Sequence, residues 1–270
     1  MFLSMSNNKI TKSYNNKLVL DEANISFEKG TVNLILGKNG SGKTTLFKIL
    51  YGLIQKYSGK ISDTKYSLLV DNASYFNSKS GYENLKYFLT ASELIKTEKY
   101  ILLLDMNDYI NLKVKTYSEG MKKKLGLVLV LSKNCEALLL DEPTNSLDIE
   151  SVTILKTILK SLKGSETIII SSHDTSIFDS SLIDNIYMLK NKKFSVANKS
   201  KFNFLIYKVK TSRKITEDFD IVLNKDEYLY IKILPNEITK VAARLSKYGL
   251  LSFMPLDYLN ELYIRNVDGL

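Results

Sequence analysis

Eight consecutive residues, Gly37-Lys38-Asn39-Gly40-Ser41-Gly42-Lys43-Thr44, have the composition of a loop that wraps a phosphate. Glycines let backbone N–H groups turn inward onto phosphate oxygens, and side chains at those positions would block the approach. In such a loop Lys43 reaches the β- and γ-phosphates of a nucleotide and the Thr44 hydroxyl ligates Mg²⁺. A helix that starts there adds the positive end of its dipole. A chance glycine turn has the same composition. This one, however, follows the apolar run 32–36 and precedes a stretch with helical spacing, 43–51, which is the order of elements the mechanism requires.

A second constellation follows the apolar run 137–140, which delivers Asp141 and Glu142 to the carboxyl end of a buried strand. Two adjacent acids there are costly unless used. Alone they also read as an acidic turn before Pro143. Beside a phosphate loop they read as a magnesium ligand, Asp141, and a general base, Glu142, that polarises a water. His173, the single histidine of the chain, follows another apolar run, 167–171. A lone histidine is ordinarily a plain surface or core residue, but in a doubly wound fold the carboxyl end of a strand is where the γ-phosphate belongs. Asp148, behind Asn145-Ser146-Leu147, reads by itself as a helix N-cap.

These residues need a scaffold. Short apolar segments at 18–20 and 23–27 precede 32–36, which is bounded by Gly30 and Gly37 and reads as a buried strand. Leu46, Phe47, Ile49 and Leu50 give 43–51 its helical pattern, and a further strand is expected at 67–70. Residues 81–117 read as mainly helical, and Ser118 can cap a helix that runs to about residue 131. Strands at 137–140, 167–171 and 185–189 then alternate with a helix at 149–162, which predicts an α/β fold with a largely parallel sheet covered on both faces. Beyond residue 198 the pattern changes. Segments 204–209, 221–223 and 228–234 read as strands and 237–248 as a helix, after a lysine- and asparagine-rich stretch at 191–201. The expected division is a domain at 1–198, with a helical subdomain at about 81–117, and a small α+β domain at 199–270.

Together these residues resemble the nucleotide-binding subunits of ABC transporters, exporter-type, over nearly the whole chain. The resemblance implies a P-loop NTPase fold of the ABC-type ATPase kind, with ATP and Mg²⁺ as ligands. Residues 37–44 look like the Walker A loop, 138–142 the Walker B strand with its catalytic glutamate, Ser146-Leu147-Asp148 the D-loop, and His173 the switch histidine. The motif that separates this family from other phosphate-loop ATPases is the signature, and Tyr117-Ser118-Glu119-Gly120-Met121 sits where it belongs. The resemblance thus implies Glu142 and His173 as catalytic residues and Thr44, Asp141 and Asp71 around the metal. For the nucleotide it implies Gly37, Lys38, Asn39, Gly40, Ser41, Gly42, Lys43, Thr44, Thr45 and Asp148, with Tyr14 as the aromatic that stacks on adenine. Tyr14 also has the plain reading of a strand aromatic. Signature residues in this family bind the γ-phosphate of ATP held by the opposite subunit, which implies that role for Ser118 and Gly120. Tyr117 and Glu119 replace the usual leucine and first glycine, adding bulk and negative charge near the composite site; Met121 replaces the usual glutamine. Asp71 stands where a glutamine is usual, and a carboxylate is a good hard ligand for Mg²⁺. Residues 256–264 look like the closing helix of a C-terminal extension. The implied partners are a separate transmembrane permease subunit and a second ATPase subunit, in a homodimer or heterodimer. A surface near Asp71, Tyr75, Phe76 and the helical segment from Gly81 is expected to receive the permease.

Composition limits the alternatives. With 270 residues, 44% hydrophobic, the chain can bury a sizeable core. No window approaches the ~20 apolar residues of a membrane span. The N-terminus lacks signal-peptide character, so the expected location is cytoplasmic, peripheral on the inner face of the cell membrane. Cys135 has no cysteine partner and reads as a buried, inert thiol. The net charge of +9 comes mostly from scattered lysines, which reads first as solvated surface and second as attraction to a membrane; no nucleic-acid partner is expected. A ribosome-acting relative would carry two phosphate loops, and a chromosome-maintenance ATPase would separate Gly37 from Ser118 by long heptad segments. A regulatory module without turnover would not need Lys43, Glu142 and His173.

Overall fold

The computed structural model describes residues 4–70, 74–173, 181–196, 205–225 and 227–256. The chain divides into two compact units, residues 1–196 and 197–270. The first opens with an antiparallel pair, β1 (Ser4–Tyr14) and β2 (Lys17–Glu28), joined by Asn15 and Asn16, both with positive φ (46° and 62°) as a tight hairpin turn needs. β2 unites the two apolar segments expected at 18–20 and 23–27. One extra residue between Leu20 and Ala23, with Glu22 at φ 43°, puts both segments on the buried side. β1 itself is nearly all polar and carries no apolar period.

β3 (Val32–Leu36) leads into the glycine loop and α1 (Lys43–Leu50). β4 (Ser58–Lys60) joins the edge of β1, and β5 (Tyr66–Leu69) enters the main sheet. A helical region follows: α2 (Gly81–Phe88), α3 (Ala91–Ile95), α4 (Thr97–Leu103), a one-turn 3-10 helix at Val114–Thr116 and α5 (Glu119–Ser132). α2 and α3 each begin with a reciprocal cap, Ser80 with Glu83 and Thr90 with Glu93. β6 (Ala137–Asp141), α6 (Ile149–Leu162), β7 (Thr167–Ser172), β8 (Asn185–Lys190) and β9 (Lys193–Val196) complete the unit.

The main sheet has the order β5-β6-β7-β3-β8-β9, parallel except for β9, which pairs antiparallel with β8. Every residue of β3, β6 and β7 is buried, so these strands are apolar without alternation. Between this sheet and the β2-β1-β4 sheet lies one core in which Ile10, Leu20, Phe27, Leu46, Phe47 and Leu139 are completely buried. β7 lies between β6 and β3, with Asp141 opposite Ser171 and Leu36 opposite Ser172. The glycine loop, the acid pair and His173 therefore leave the sheet side by side at one edge.

The second unit contains β10 (Leu205–Thr211), β11 (Ile221–Lys225), β12 (Tyr228–Ile233), α7 (Ile238–Ser246) and β13 (Leu250–Pro255) in an antiparallel sheet of order β11-β12-β10-β13. β13 was not expected. Its core of Tyr207, Val209, Phe219, Ile231, Ile233 and Leu245 shares no residue with the first unit's. Residues 257–264 of the expected closing helix lie outside the described residues. No described helix is long and apolar enough to cross a membrane. Because the two cores are separate, a chain ending at Val196 is expected to keep a single cooperative melting transition in circular dichroism. Failure to fold would show that residues 197–270 complete the first core.

Candidate functional site

Gly42 caps α1 in a left-handed conformation, φ 114°, and a Cβ there would stand 3.1 Å from both Val19 Cγ1 and Leu20 Cδ2. At Gly37 a Cβ would stand 2.6 Å from Ser41 Oγ. The loop is thus folded back on itself, with no room for a side chain at Gly37 or Gly42, while Gly40 faces open space. The first turn of α1 has neither a side-chain cap nor an acidic residue, which leaves its N–H groups for an anion. Ser41 Oγ is buried without a hydrogen-bond partner, an unmet polar atom inside the loop. These features fit a bound phosphate chain.

Lys43 is buried. Its Nζ donates to the carbonyls of Gly37 at 2.6 Å and Lys38 at 3.4 Å and lies 3.4 Å from Glu142 Oε1. Burial lowers its pKa, and the charges of Glu142 and Asp141 oppose that shift. Across the loop, Thr44 Oγ1 donates to Asp141 Oδ2 at 2.6 Å, and Ser171 Oγ donates to Asp141 Oδ1 at 2.5 Å. The buried carboxylate is held from both sides. Thr44 and Asp141 together offer two hard oxygens, which fits Mg²⁺, an ion that takes one or two protein oxygens and completes its shell with water and phosphate.

Glu142 departs from strand geometry, with φ at 45°, in the left-handed region where a non-glycine residue costs on the order of 1–3 kcal/mol. Its N–H donates to Ser171 Oγ at 3.1 Å and to the Ser171 carbonyl at 3.2 Å, which holds the turn. Its Oε2 sits 2.9 Å from His173 Nδ1. Oε1 is buried and lacks a hydrogen bond, because the Lys43 ammonium at 3.4 Å is an ion pair without hydrogen-bond alignment. The carboxylate is therefore aimed into the cavity with one oxygen unspent.

A cavity of about 460 Å³ opens here, lined by Val19, residues 39–45, Asp141, Glu142, Asn145 and His173. Other expected site residues do not line it. Tyr14 is half exposed at the end of β1, with Lys12 Nζ 4.6 Å from its ring centroid. Ser118 caps α5 by accepting from Met121 N–H at 3.2 Å, and a Cβ on Gly120 would stand 2.7 Å from the Ser146 carbonyl, so that glycine also serves packing within the chain. Asp148 caps α6, accepting from Ser151 N–H at 2.7 Å, a bond that lowers its pKa. Asp71 lies outside the described residues. One expectation needs correcting: the bulk of Tyr117 turns inward, with its ring buried in the helical region and its hydroxyl donating to the Tyr109 carbonyl at 2.8 Å. Glu119 remains exposed and pairs with Lys122 at 2.9 Å.

Val19, Asn145 and Ser171 escaped the sequence reading. Only Ser171 left a signal, as a polar residue ending an apolar strand. Ser171→Ala would leave one oxygen of the buried Asp141 carboxylate unpaired and weaken the Glu142 turn. A loss of about 1–3 kcal/mol is expected, read by urea denaturation. An unchanged stability would show that water replaces the hydroxyl at no cost.

Comparison with known proteins agrees with this geometry. The ABC transporter family model matches residues 20–145. The lantibiotic transport ATP-binding protein SrtF of Streptococcus pyogenes is 33% identical over 177 residues, which cover 61% of this chain and 77% of SrtF. The cytochrome c biogenesis ATP-binding export protein CcmA of Reclinomonas americana is 32% identical over 207 residues, covering 67% of this chain and 88% of CcmA. A solved ATP-binding subunit of an ABC transporter superposes with a TM-score of 0.65 at 17% identity, covering 73% of this chain and 90% of that one, and so shares the fold. With its phosphate loop, acid pair and histidine converging on one sheet edge, the chain belongs to the ATP-binding proteins of the ABC transporter family, a family of ATPases.

Proposed function

We propose that this chain is the motor subunit of an exporter, hydrolysing ATP at the inner face of the cell membrane to drive a separate permease. The observation that carries the catalytic part is the placement of Glu142, turned off its strand by a left-handed backbone and bonded to His173 inside the phosphate-loop cavity. In this reading the N–H groups of residues 39–45 and the Lys43 ammonium bind the phosphates. Thr44 and Asp141, with Asp71 as a further expected ligand, would hold Mg²⁺, which would supply charge neutralisation at the phosphates. Glu142 accepts a proton from water as the oxygen attacks the γ-phosphorus, and the bond to ADP breaks. His173 fixes the Glu142 carboxylate and faces the γ-phosphate. Tyr14 stacks on adenine.

Ser118 and Gly120 find their use in a dimer, identical or mixed, in which α5 of one subunit points its first turn at the nucleotide of the other. Their position outside their own chain's cavity supports this arrangement, as does Asp148, which caps α6 two residues beyond the Ser146 carbonyl that faces Gly120. The permease surface is the aromatic cluster on the helical region. Phe76, Tyr87 and Phe88 are exposed, with ring centroids 4.5 Å apart for Phe76 and Tyr87 and 5.8 Å for Phe76 and Phe88. Phe76 and Tyr87 line a groove of about 400 Å³ flanked by Lys79, Glu83 and Lys86. Clustered exposed aromatics of this kind mark protein interfaces. Export, rather than import, is supported by the likeness to CcmA.

Glu142→Gln is expected to lower turnover by about 10²- to 10⁴-fold while ATP still binds and the ATP-bound dimer persists, read by phosphate release and by sizing with Mg-ATP. Lys43→Ala is expected to lose binding and dimer together, because it removes a charge-assisted phosphate contact. Near-normal turnover in Glu142→Gln would remove this residue as the base. Tyr87→Ala is expected to reduce co-purification of the permease and to leave ATP binding unchanged; undiminished recovery would place the permease elsewhere.

A further inference from the structure

Tyr117 stands immediately before Ser118, the residue that opens α5. Its ring is 5% exposed and meets Tyr109 edge-on at 5.3 Å between centroids. The hydroxyl donates to the Tyr109 carbonyl at 2.8 Å and fills the space above Gly81, where even a methyl group would collide with it. Gly81 is the first residue of α2, the helix that carries Tyr87 and Phe88.

The two segments are tied along their length. Lys115 N–H donates to Asn77 at 3.0 Å, Val114 N–H to Lys79 at 2.9 Å, Gly81 N–H to Leu112 at 3.3 Å and Tyr82 N–H to Ile110 at 2.9 Å, all to backbone carbonyls. The buried Asn84 side chain then pins Phe76 to α2, accepting from its N–H at 2.8 Å and donating to its carbonyl at 3.2 Å. A displacement of the aromatic surface is thereby passed to the strip 110–116. Two side chains carry it into α5: Tyr75, whose hydroxyl donates to the Lys122 carbonyl at 3.3 Å, and Tyr117, whose hydroxyl lies against Gly81 and which alone of the two adjoins Ser118.

We propose that Tyr117 is a positioning residue that couples the aromatic surface of α2 to Ser118, setting how the first turn of α5 is presented to the nucleotide of the opposite subunit. This rests on the dimeric reading above. Glycine at position 81 and tyrosine at position 117 form a fitted pair, the absence of a Cβ on one making room for the hydroxyl of the other. The hydroxyl acts at a distance from the phosphate loop, so it affects dimer closure and not the binding of ATP to its own subunit.

The test uses the full chain carrying Glu142→Gln, titrated with Mg-ATP, with the dimer fraction read by light scattering. Tyr117→Phe removes only the hydroxyl. It is expected to raise the Mg-ATP midpoint for dimer formation by about 2- to 10-fold, the equivalent of one hydrogen bond. The monomer's affinity for a fluorescent ATP analogue should stay unchanged and the melting temperature fall by no more than a few degrees. Gly81→Ala should raise the midpoint too, and by a smaller factor in the Tyr117→Phe background than alone, since the oxygen it collides with is then gone. An unmoved midpoint in Tyr117→Phe, or strict additivity of the two changes, overturns the proposal. So does a lowered melting temperature with the midpoint unchanged, which marks a purely structural role. If the Glu142→Gln chain binds ATP and never dimerises, the sandwich itself is wrong and the inference falls with it.

Discussion

The parallel registration of β6, β7 and β3 is the constraint from which the site follows. Asp141 stands opposite Ser171 and Leu36 opposite Ser172, so three connections leave the sheet at one level. A slip of one residue would turn every side chain of a strand to the other face. Strands buried on both sides resist such a slip because their pairing and their packing against helices must change together. Ser171 illustrates the dependence: its hydroxyl donates to Asp141 and accepts from Glu142 N–H, and its carbonyl accepts from the same N–H. One residue of β7 thereby sets the position of Asp141 at the end of β6 and of Glu142 just beyond it.

The electrostatics of the cavity are those of a place prepared for phosphate. Burying the Lys43 ammonium is costly, and the two nearby carboxylates offset part of that cost. The strained Glu142 backbone adds to it. Unmet polar atoms on Ser41 and Glu142 remain in the same volume. Backbone strain at Glu142 beside unmet polar atoms in the same cavity is what a binding site looks like before its ligand supplies the missing partners.

The helical region is organised differently. Reciprocal caps at Ser80 and Thr90, the backbone ties between 77–82 and 110–115, and the Tyr117–Gly81 contact make it a body with its own internal order. Its two ends differ: exposed aromatics on α2 and the capped first turn of α5. Gly120 links that turn to Ser146, one residue beyond Asn145, which lines the cavity. In the proposed reading, the route from the nucleotide to the permease surface runs through the close approaches at Gly120 and Gly81.

Local patterns were legible in the residues alone. The glycine loop between an apolar run and a helical one, the acid pair after 137–140, the caps at Ser118 and Asp148 and the alternation of strands and helices each arise from neighbours in the chain, where backbone propensity and hydrophobic period act. β1 was not legible, because a polar strand leaves no apolar period, and neither were β9 and β13, short antiparallel additions to sheet edges. What only the tertiary structure decided was convergence and direction: that Val19 and Asn145 meet at the cavity, that Ser171 holds Asp141 there, that Glu142 swings off its strand, and that Tyr117 points inward to Gly81. Those outcomes depend on registration and packing between segments far apart in sequence, and a side chain's direction is set by the space its distant neighbours leave.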